Sequence, residues 1–162
     1  MKIRNATRAD VAAIGEIWNG YIRDTSVTFN SVEKSEQMLA QDIAQKQREG
    51  HAVFVAEQDG RISGFALYGW FRSGPGYADT VEHTVMLDRD EAGNGLGRAL
   101  MQALEEHARA AGKHVMIAAV SGENEVAISF HLAVGYNEVG RLPDVGQKFQ
   151  RRMDLILLQK IL

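Results

Sequence analysis

Three glycines at alternate positions stand where the chain turns from an apolar run into an amphipathic one. Leu87 closes the β-branched run Thr80–Leu87, and Asp88–Asn94 is polar. Ala92-Gly93-Asn94-Gly95-Leu96-Gly97-Arg98 then enters a stretch whose Leu96, Leu100, Leu104 and Ala108 fall on one helical face. The chemistry of a strand–loop–helix of this composition is anion binding. Glycines let the backbone approach a ligand, and the N–H groups at a helix start point at negative charge. The alternative is a tight loop before a helix. The run is not a Walker A loop, because no Gly-Lys-Ser/Thr follows. It is not G-x-G-x-x-G either, since the third glycine comes one residue early. Asp88–Ala99 imitates a calcium loop but has alanine at its fifth and twelfth positions, Ala92 and Ala99, where oxygen ligands are needed. One carboxylate lies on the strand-like run that leads into this loop. Glu82 shares a strand face with Thr80, Thr84 and Met86. Partial burial there would raise its pKa and suit it to a base, whereas a solvated Glu82 would carry no role.

The flanking pattern says what must position these groups. Lys2–Ala6 reads as a strand. Thr7 and Asp10 offer caps for a helix carrying Val11, Ile14, Ile17 and Tyr21. A second helix opens at Ser35 and runs to about Arg48. Ala52–Glu57 and Arg61–Trp70 are strands joined by Asp59-Gly60, a hairpin signal. Arg72–Tyr77 is a loop and Thr80–Leu87 a strand. A helix follows from about Gly95 to Ala111, stopped by Gly112. Val115–Val120 is a buried strand and Asn124–Val134 a helix ending at Gly135. Tyr136–Arg141 and Phe149–Leu158 close the chain as two strands. The order is that of a mixed α/β domain spanning residues 1–162.

Composition excludes several classes. The 162 residues include no cysteine, which removes disulfides, thiolate metal sites and a catalytic thiol. The net charge of −3 argues against a nucleic-acid footprint. No apolar run approaches the ~18 residues of a membrane span. Met1–Asn5 has no apolar core of a secretory signal, so a cytoplasmic location is expected. His51, His107 and His114 lack metal-ligand spacing, so no metal is expected. Glycine, 16 of the 162 residues, exceeds the usual ~7%. Much of that excess sits in the loop at 93–97 and the loop at 74–76.

Strand, then Ala92-Gly93-Asn94-Gly95-Leu96-Gly97, then helix resembles the acetyl-CoA pyrophosphate loop of the GNAT N-acetyltransferases. The resemblance is closest to the phosphinothricin and methionine sulfoximine acetyltransferases. It includes Thr80-Val81-Glu82-His83-Thr84-Val85, Asn124 with Ser129-Phe130-His131, and Gly135-Tyr136. It also takes in Val145-Gly146, Lys148-Phe149, Arg151, Asp154-Leu155 and Gln159, and reaches Thr28-Phe29 and Arg72. Ala92 departs from the family's usual Gln or Arg, Arg89 from a common proline, and Met86-Leu87 from Tyr-Val. Alanine at 92 removes one phosphate hydrogen bond. The backbone of residues 93–98 remains, with Arg98 adding charge, so cofactor binding is expected to survive.

The resemblance implies a single-domain GNAT fold, with a mixed, mostly antiparallel sheet flanked by helices. It implies acetyl transfer from acetyl-CoA, without a metal, to the amine of a small amino-acid-like acceptor. Without cysteine, direct transfer in a ternary complex is the simplest route. It assigns Glu82 as base, acting directly or through water, and His131 as the acid near the sulfur. It assigns Gly93, Asn94, Gly95, Leu96, Gly97 and Arg98 to the pyrophosphate. The backbone of Val85, Met86 and Leu87 then pairs with the pantetheine arm, which Asn124 also contacts; a helix N-cap is the other reading of Asn124. Phe29, Arg72, Ser73, Gly74 and Tyr77 lie in the acceptor loops. There Arg72 clamps a carboxylate or pairs with Asp79. His83 is read as structural first and functional second, and Lys148, Arg151 and Arg152 as a solvated strand edge. A homodimer is implied, with no nucleic-acid or membrane partner. The alternatives are a protein N-terminal or polyamine acetyltransferase, or a non-catalytic acyl-CoA sensor. The absence of an acid in Arg72–Tyr77 speaks against polyamines.

Overall fold

The computed structural model describes residues 1–162. The elements in chain order are β1 (Lys2–Asn5), α1 (Val11–Asp24), α2 (Glu36–Arg48), β2 (Val53–Gln58), β3 (Arg61–Trp70) and β4 (Thr80–Leu87). They continue with α3 (Leu96–Ala110), β5 (Val115–Ser121), α4 (Glu125–Ala133), β6 (Asn137–Lys148) and β7 (Arg151–Ile161). All seven strands form one sheet in the order β1-β2-β3-β4-β5-β7-β6. Only β4 and β5 pair in parallel; every other neighbour is antiparallel. This is the mixed, mostly antiparallel α/β architecture expected from the sequence. No helix is long and apolar enough to cross a membrane.

Alternation along each strand divides the core into two layers. Val53, Val55, Phe65 and Leu67 face α1 and α2, whose Val11, Ile14, Leu39 and Ile43 complete that layer. Ala66, Tyr68, Val81, Met116, Ala118, Ile156 and Leu158 face the other way, onto Leu96, Leu100, Leu104 and Ala108 of α3. Ala127, Ile128 and Phe130 of α4 pack against the same layer.

The start of α1 is built differently from a simple cap. The Asp10 carboxylate accepts from the Thr7 N–H at 2.7 Å and from both terminal nitrogens of Arg4 at 2.8 and 2.9 Å. Those bonds, with Arg4 foremost, hold the acid at about 2. They fold Arg8–Asp10 into a 3-10 turn before the helix begins.

The last two strands are longer than the sequence pattern indicates. The expected Tyr136–Arg141 is Asn137–Lys148, and the expected Phe149–Leu158 is Arg151–Ile161. Pro143 and Asp144, beyond the expected end at Arg141, lie in a bulge of β6. The register shifts between Leu142 and Gly146, and the Asp144 N–H donates to Asp154. Phe149 and Gln150, expected inside the last strand, are a two-residue turn with φ of 52° and 59°.

Candidate active site

Parallel pairing between β4 and β5 covers only Thr80–Glu82 against Val115–Ile117. Beyond Glu82 the strands separate, and a cavity of about 360 Å³ opens between them. His83–Met86 line one wall and Ala118–Ser121 the other; α4 contributes Ala127 and His131, and Asn124 lies at its cap. The segment Val27–Asn30 after α1 closes the α1–α2 side, together with Trp18. The backbone of the β4 wall is open. The Phe71 N–H donates to the Thr80 carbonyl, and the Asp88 N–H to the Ser63 carbonyl. Even-numbered residues of β4 therefore turn their backbone groups to β3, and odd-numbered ones turn theirs away from it. With β5 gone, the N–H and carbonyl of Val85 face the gap. The Leu87 carbonyl does not, because it accepts from the Tyr21 hydroxyl at 2.9 Å.

Glu82 sits where the two strands part, opposite Gly69 on β3 and Ile117 on β5. Its face is the α1–α2 face, shared with Thr84 and Met86. It does not itself line the cavity. Burial raises its pKa, and the charge of Lys46 opposes that rise. His83 turns to the other face, as alternation requires, but it is more than packing. It is 7% exposed, lines the cavity and stacks on His131 with ring centroids 5.1 Å apart. Burial lowers the His83 pKa to about 3.

His131 is 4% exposed. Its Nδ1 lies 2.7 Å from the Ala127 carbonyl one turn back in α4. A carbonyl only accepts, so Nδ1 carries the hydrogen and the neutral ring keeps Nε2 as an acceptor. That Nε2 has no partner in the protein. Burial lowers the His131 pKa, and the carbonyl contact offsets part of the effect. The resting imidazole thus offers a lone pair, and can give a proton only after taking one up.

The glycine loop divides by role. Gly93 and Gly95 have φ of 89° and 77°, backbone that side chains rarely adopt. Gly97 is helical, and a Cβ there would meet the Phe130 ring at 3.3 Å, so its smallness lets α3 approach α4. No side chain caps α3. The first N–H bonded at this end is that of Ala99, to the Gly95 carbonyl. The Leu96, Gly97 and Arg98 N–H groups are left free, a ready anion site at the positive end of the helix dipole. Asn124 caps α4 through Oδ1, which accepts from the Ala127 N–H at 3.1 Å, and keeps Nδ2 as a donor at the cavity. An open helix N-terminus, an unpaired strand backbone and an orphaned buried imidazole nitrogen fit an acetyl-CoA molecule. Residues 93–98 would hold its pyrophosphate and Val85 with Asn124 its pantetheine arm.

Of the acceptor candidates, Phe29 lines the cavity, and its ring fills the space a Gly146 side chain would take. Arg72, Ser73, Gly74 and Tyr77 are exposed and stand outside that lining. Arg72 makes no ion pair with Asp79; its guanidinium lies over the Phe71 ring, 5.6 Å from the centroid. Lys148 corrects the expectation of a solvated edge. It is 5% exposed, and its Nζ donates to the Thr25 and Thr28 carbonyls at 2.6 and 2.9 Å. The side chain therefore ties the loop at Thr25–Phe29 to β6. Trp18, Lys46, Thr84 and Lys148 are site or support residues to which the sequence reading gave no role in the site. Thr84 and Lys148 carried a signal, as members of the Thr80–Val85 and tail motifs; Lys46 carried none. A larger cleft of about 760 Å³ lies beside the end of β4. It holds neither Glu82 nor His131, and most of its charges pair with one another, as in Arg4–Asp10, Arg61–Asp88 and Arg89–Asp24.

Comparison with known proteins shows which family this fold and sequence match. The family model described as an acetyltransferase (GNAT) domain matches residues 3–157. A relative named L-methionine sulfoximine/L-methionine sulfone acetyltransferase, from Salmonella typhimurium, is 39% identical over 160 residues, covering 98% of this chain and 93% of its own. A structure titled ribosomal-protein-alanine N-acetyltransferase, from Brucella melitensis, superposes with a TM-score of 0.97 at 37% identity and covers 100% of both chains. A structure of yncA from Salmonella typhimurium with its cofactor acetyl-CoA gives a TM-score of 0.95 at 36% identity, covering 99% of this chain and 92% of that one.

Proposed function

The chain belongs to the GNAT acetyltransferase family, and from that premise we propose that it moves acetyl from acetyl-CoA to the α-amine of a small amino-acid-like acceptor. Methionine sulfoximine, methionine sulfone and phosphinothricin are the acceptor types, in line with the names of its relatives. The observation that carries the reading is the cavity between the splayed β4 and β5. It joins an unpaired strand backbone to two neutral imidazoles and the Phe29 loop.

Acetyl-CoA, when bound, supplies a thioester whose C–S bond breaks as the amide N–C bond forms. The chain has no cysteine, so attack is direct, with both substrates bound. The acceptor arrives as an ammonium. Glu82 takes its first proton and releases it to solvent. Because Glu82 stands just outside the cavity lining, that proton passes through an intervening water. The nitrogen loses a second proton as the amide forms. His131 Nε2 accepts that proton and returns it to the departing sulfur, so one proton is released per turnover. The proposal extends to a cytoplasmic homodimer without a metal, nucleic-acid or membrane partner. The exposed Val139, Leu142 and Val145 on edge strand β6 support the dimer.

Thiol release from acetyl-CoA, followed across a panel of amines, tests the function. Turnover is expected on methionine sulfone and related amino acids. The printed name of the Brucella structure favours a second reading, acetylation of a protein N-terminus, so the panel includes a peptide with N-terminal alanine. Acetyl-CoA binding without turnover on any amine would replace both with a sensor.

A further inference from the structure

Glu82 has a neighbour that acetyl transfer as described above does not use. Its cross-strand partner is Gly69, and a Cβ at Gly69 would lie 2.9 Å from the Lys46 Nζ. The Lys46 side chain thus runs from α2 onto the sheet and puts its ammonium in the slot that Gly69 leaves open. Directly opposed residues in a sheet have Cβ positions about 4.5–5.5 Å apart. The ammonium therefore stands beside the Glu82 side chain, on the same face of the sheet. It is not spent on another acid: its ion-pair contact is Asp42, one helical turn earlier, at a long 3.9 Å. The other neighbours of Glu82 carry no charge. Gly69 has no side chain, Ile117 of β5 is apolar, and Gln159 of β7 stands beyond Ile117. On α2 the charged groups on this side are Lys46 and Asp42.

We propose that Lys46 is a positioning residue for Glu82, its ammonium held over Gly69 so that the carboxylate stays ionised for the acceptor's proton. The proposal rests on the reading of Glu82 as the base. Burial alone raises the pKa of the Glu82 carboxyl, and Lys46 is the charge that opposes this rise. A glycine at position 69 is what makes room for the lysine. An alanine there has to push the flexible end of Lys46 away.

The test is the pH dependence of kcat/KM for the wild type, Lys46→Met, Lys46→Arg, Gly69→Ala and Glu82→Gln, each checked for folding by circular dichroism. Lys46→Met is expected to move the acid limb to higher pH, with a several-fold loss on the acid side that fades at high pH. Lys46→Arg, which keeps the charge, is expected to leave the limb near its wild-type position. Gly69→Ala is expected to shift it in the same direction as Lys46→Met, and it reports on the same point should Lys46→Met fail to fold. An unshifted limb in folded Lys46→Met or Gly69→Ala overturns the proposal, as does a shift in Lys46→Arg equal to that in Lys46→Met. Glu82→Gln separates the two layers. If the acid limb of that variant keeps its wild-type position, the base assignment falls, whatever Lys46 does.

Discussion

A half-buried carboxylate is a liability to the fold and, in the proposed reaction, an asset, and Glu82 is placed to be both. Its pKa is raised in the folded chain by burial. The folded state therefore holds a proton that the unfolded state has already released, and the stability linked to Glu82 falls as pH rises from the unfolded value toward the folded one. At neutral pH the ionised side chain is a net cost. Glu82→Gln is accordingly expected to raise the melting temperature at pH 7–8 and to gain little near pH 4. It should also lower kcat/KM by roughly 10²–10⁴-fold, the range of a general base. A variant both slower and less stable at neutral pH would contradict this. The place of Glu82 was legible because a strand's period of two assigns faces from sequence alone. The tautomer of His131 was not, since it depends on the Ala127 carbonyl meeting Nδ1 in α4. Nor was the burial of Lys148. Beside Arg151 and Arg152 it reads as a solvated strand edge, but its partners are carbonyls more than a hundred residues earlier in the chain.

Element by element, legibility followed the chemistry of the turns. Asp59-Gly60 and Phe149-Gln150 both connect antiparallel strands through two residues of positive φ. The first pair carries the side chains such a turn favours; the second does not, and its hairpin was expected as continuous strand. The glycine loop is the best-specified connection, because its left-handed backbone at Gly95 disfavours any side chain. Valine there must adopt a left-handed conformation costing about 1–2 kcal/mol, at the open start of α3. Gly95→Val is expected to abolish acetyl-CoA binding in isothermal titration calorimetry; a retained binding heat would refute the cradle. The loop at Thr25–Phe29, proposed to meet the acceptor, is held from a distance, by the Lys148 ammonium on two carbonyls and by Phe29 over Gly146. Lys148→Met is expected to raise the acceptor KM several-fold while leaving acetyl-CoA affinity unchanged. Equal effects on both substrates would make Lys148 a general stability residue instead.

Across the whole molecule, four of the five histidines sit in partly or fully buried places where burial lowers their pKa: His51, His83, His107 and His131. Two line the reaction cavity. His51 packs among Tyr68 and Trp70, and the Tyr68 hydroxyl lies 2.8 Å from His107 Nδ1. The folded chain keeps these rings neutral, while the unfolded chain protonates them near 6.5. As pH falls below that value the unfolded state binds more protons, so stability present above it is progressively lost. For His83 the loss continues down to about 3. At about 1.4 kcal/mol per pKa unit, that one ring is worth a few kcal/mol, a large share of the stability of a domain this size. Asp10, held at about 2 by Arg4, adds a loss of the same sign only below its unfolded value near 3.8. Glu82 opposes the trend over a narrow acid range. The urea midpoint is therefore expected to hold level above about pH 7 and to fall steeply between pH 6.5 and 4. His83→Phe should flatten that slope if the ring fits. A midpoint independent of pH over this interval would mean that the buried histidines titrate alike in both states. The neutrality that gives His131 its free lone pair would then have no basis in the fold.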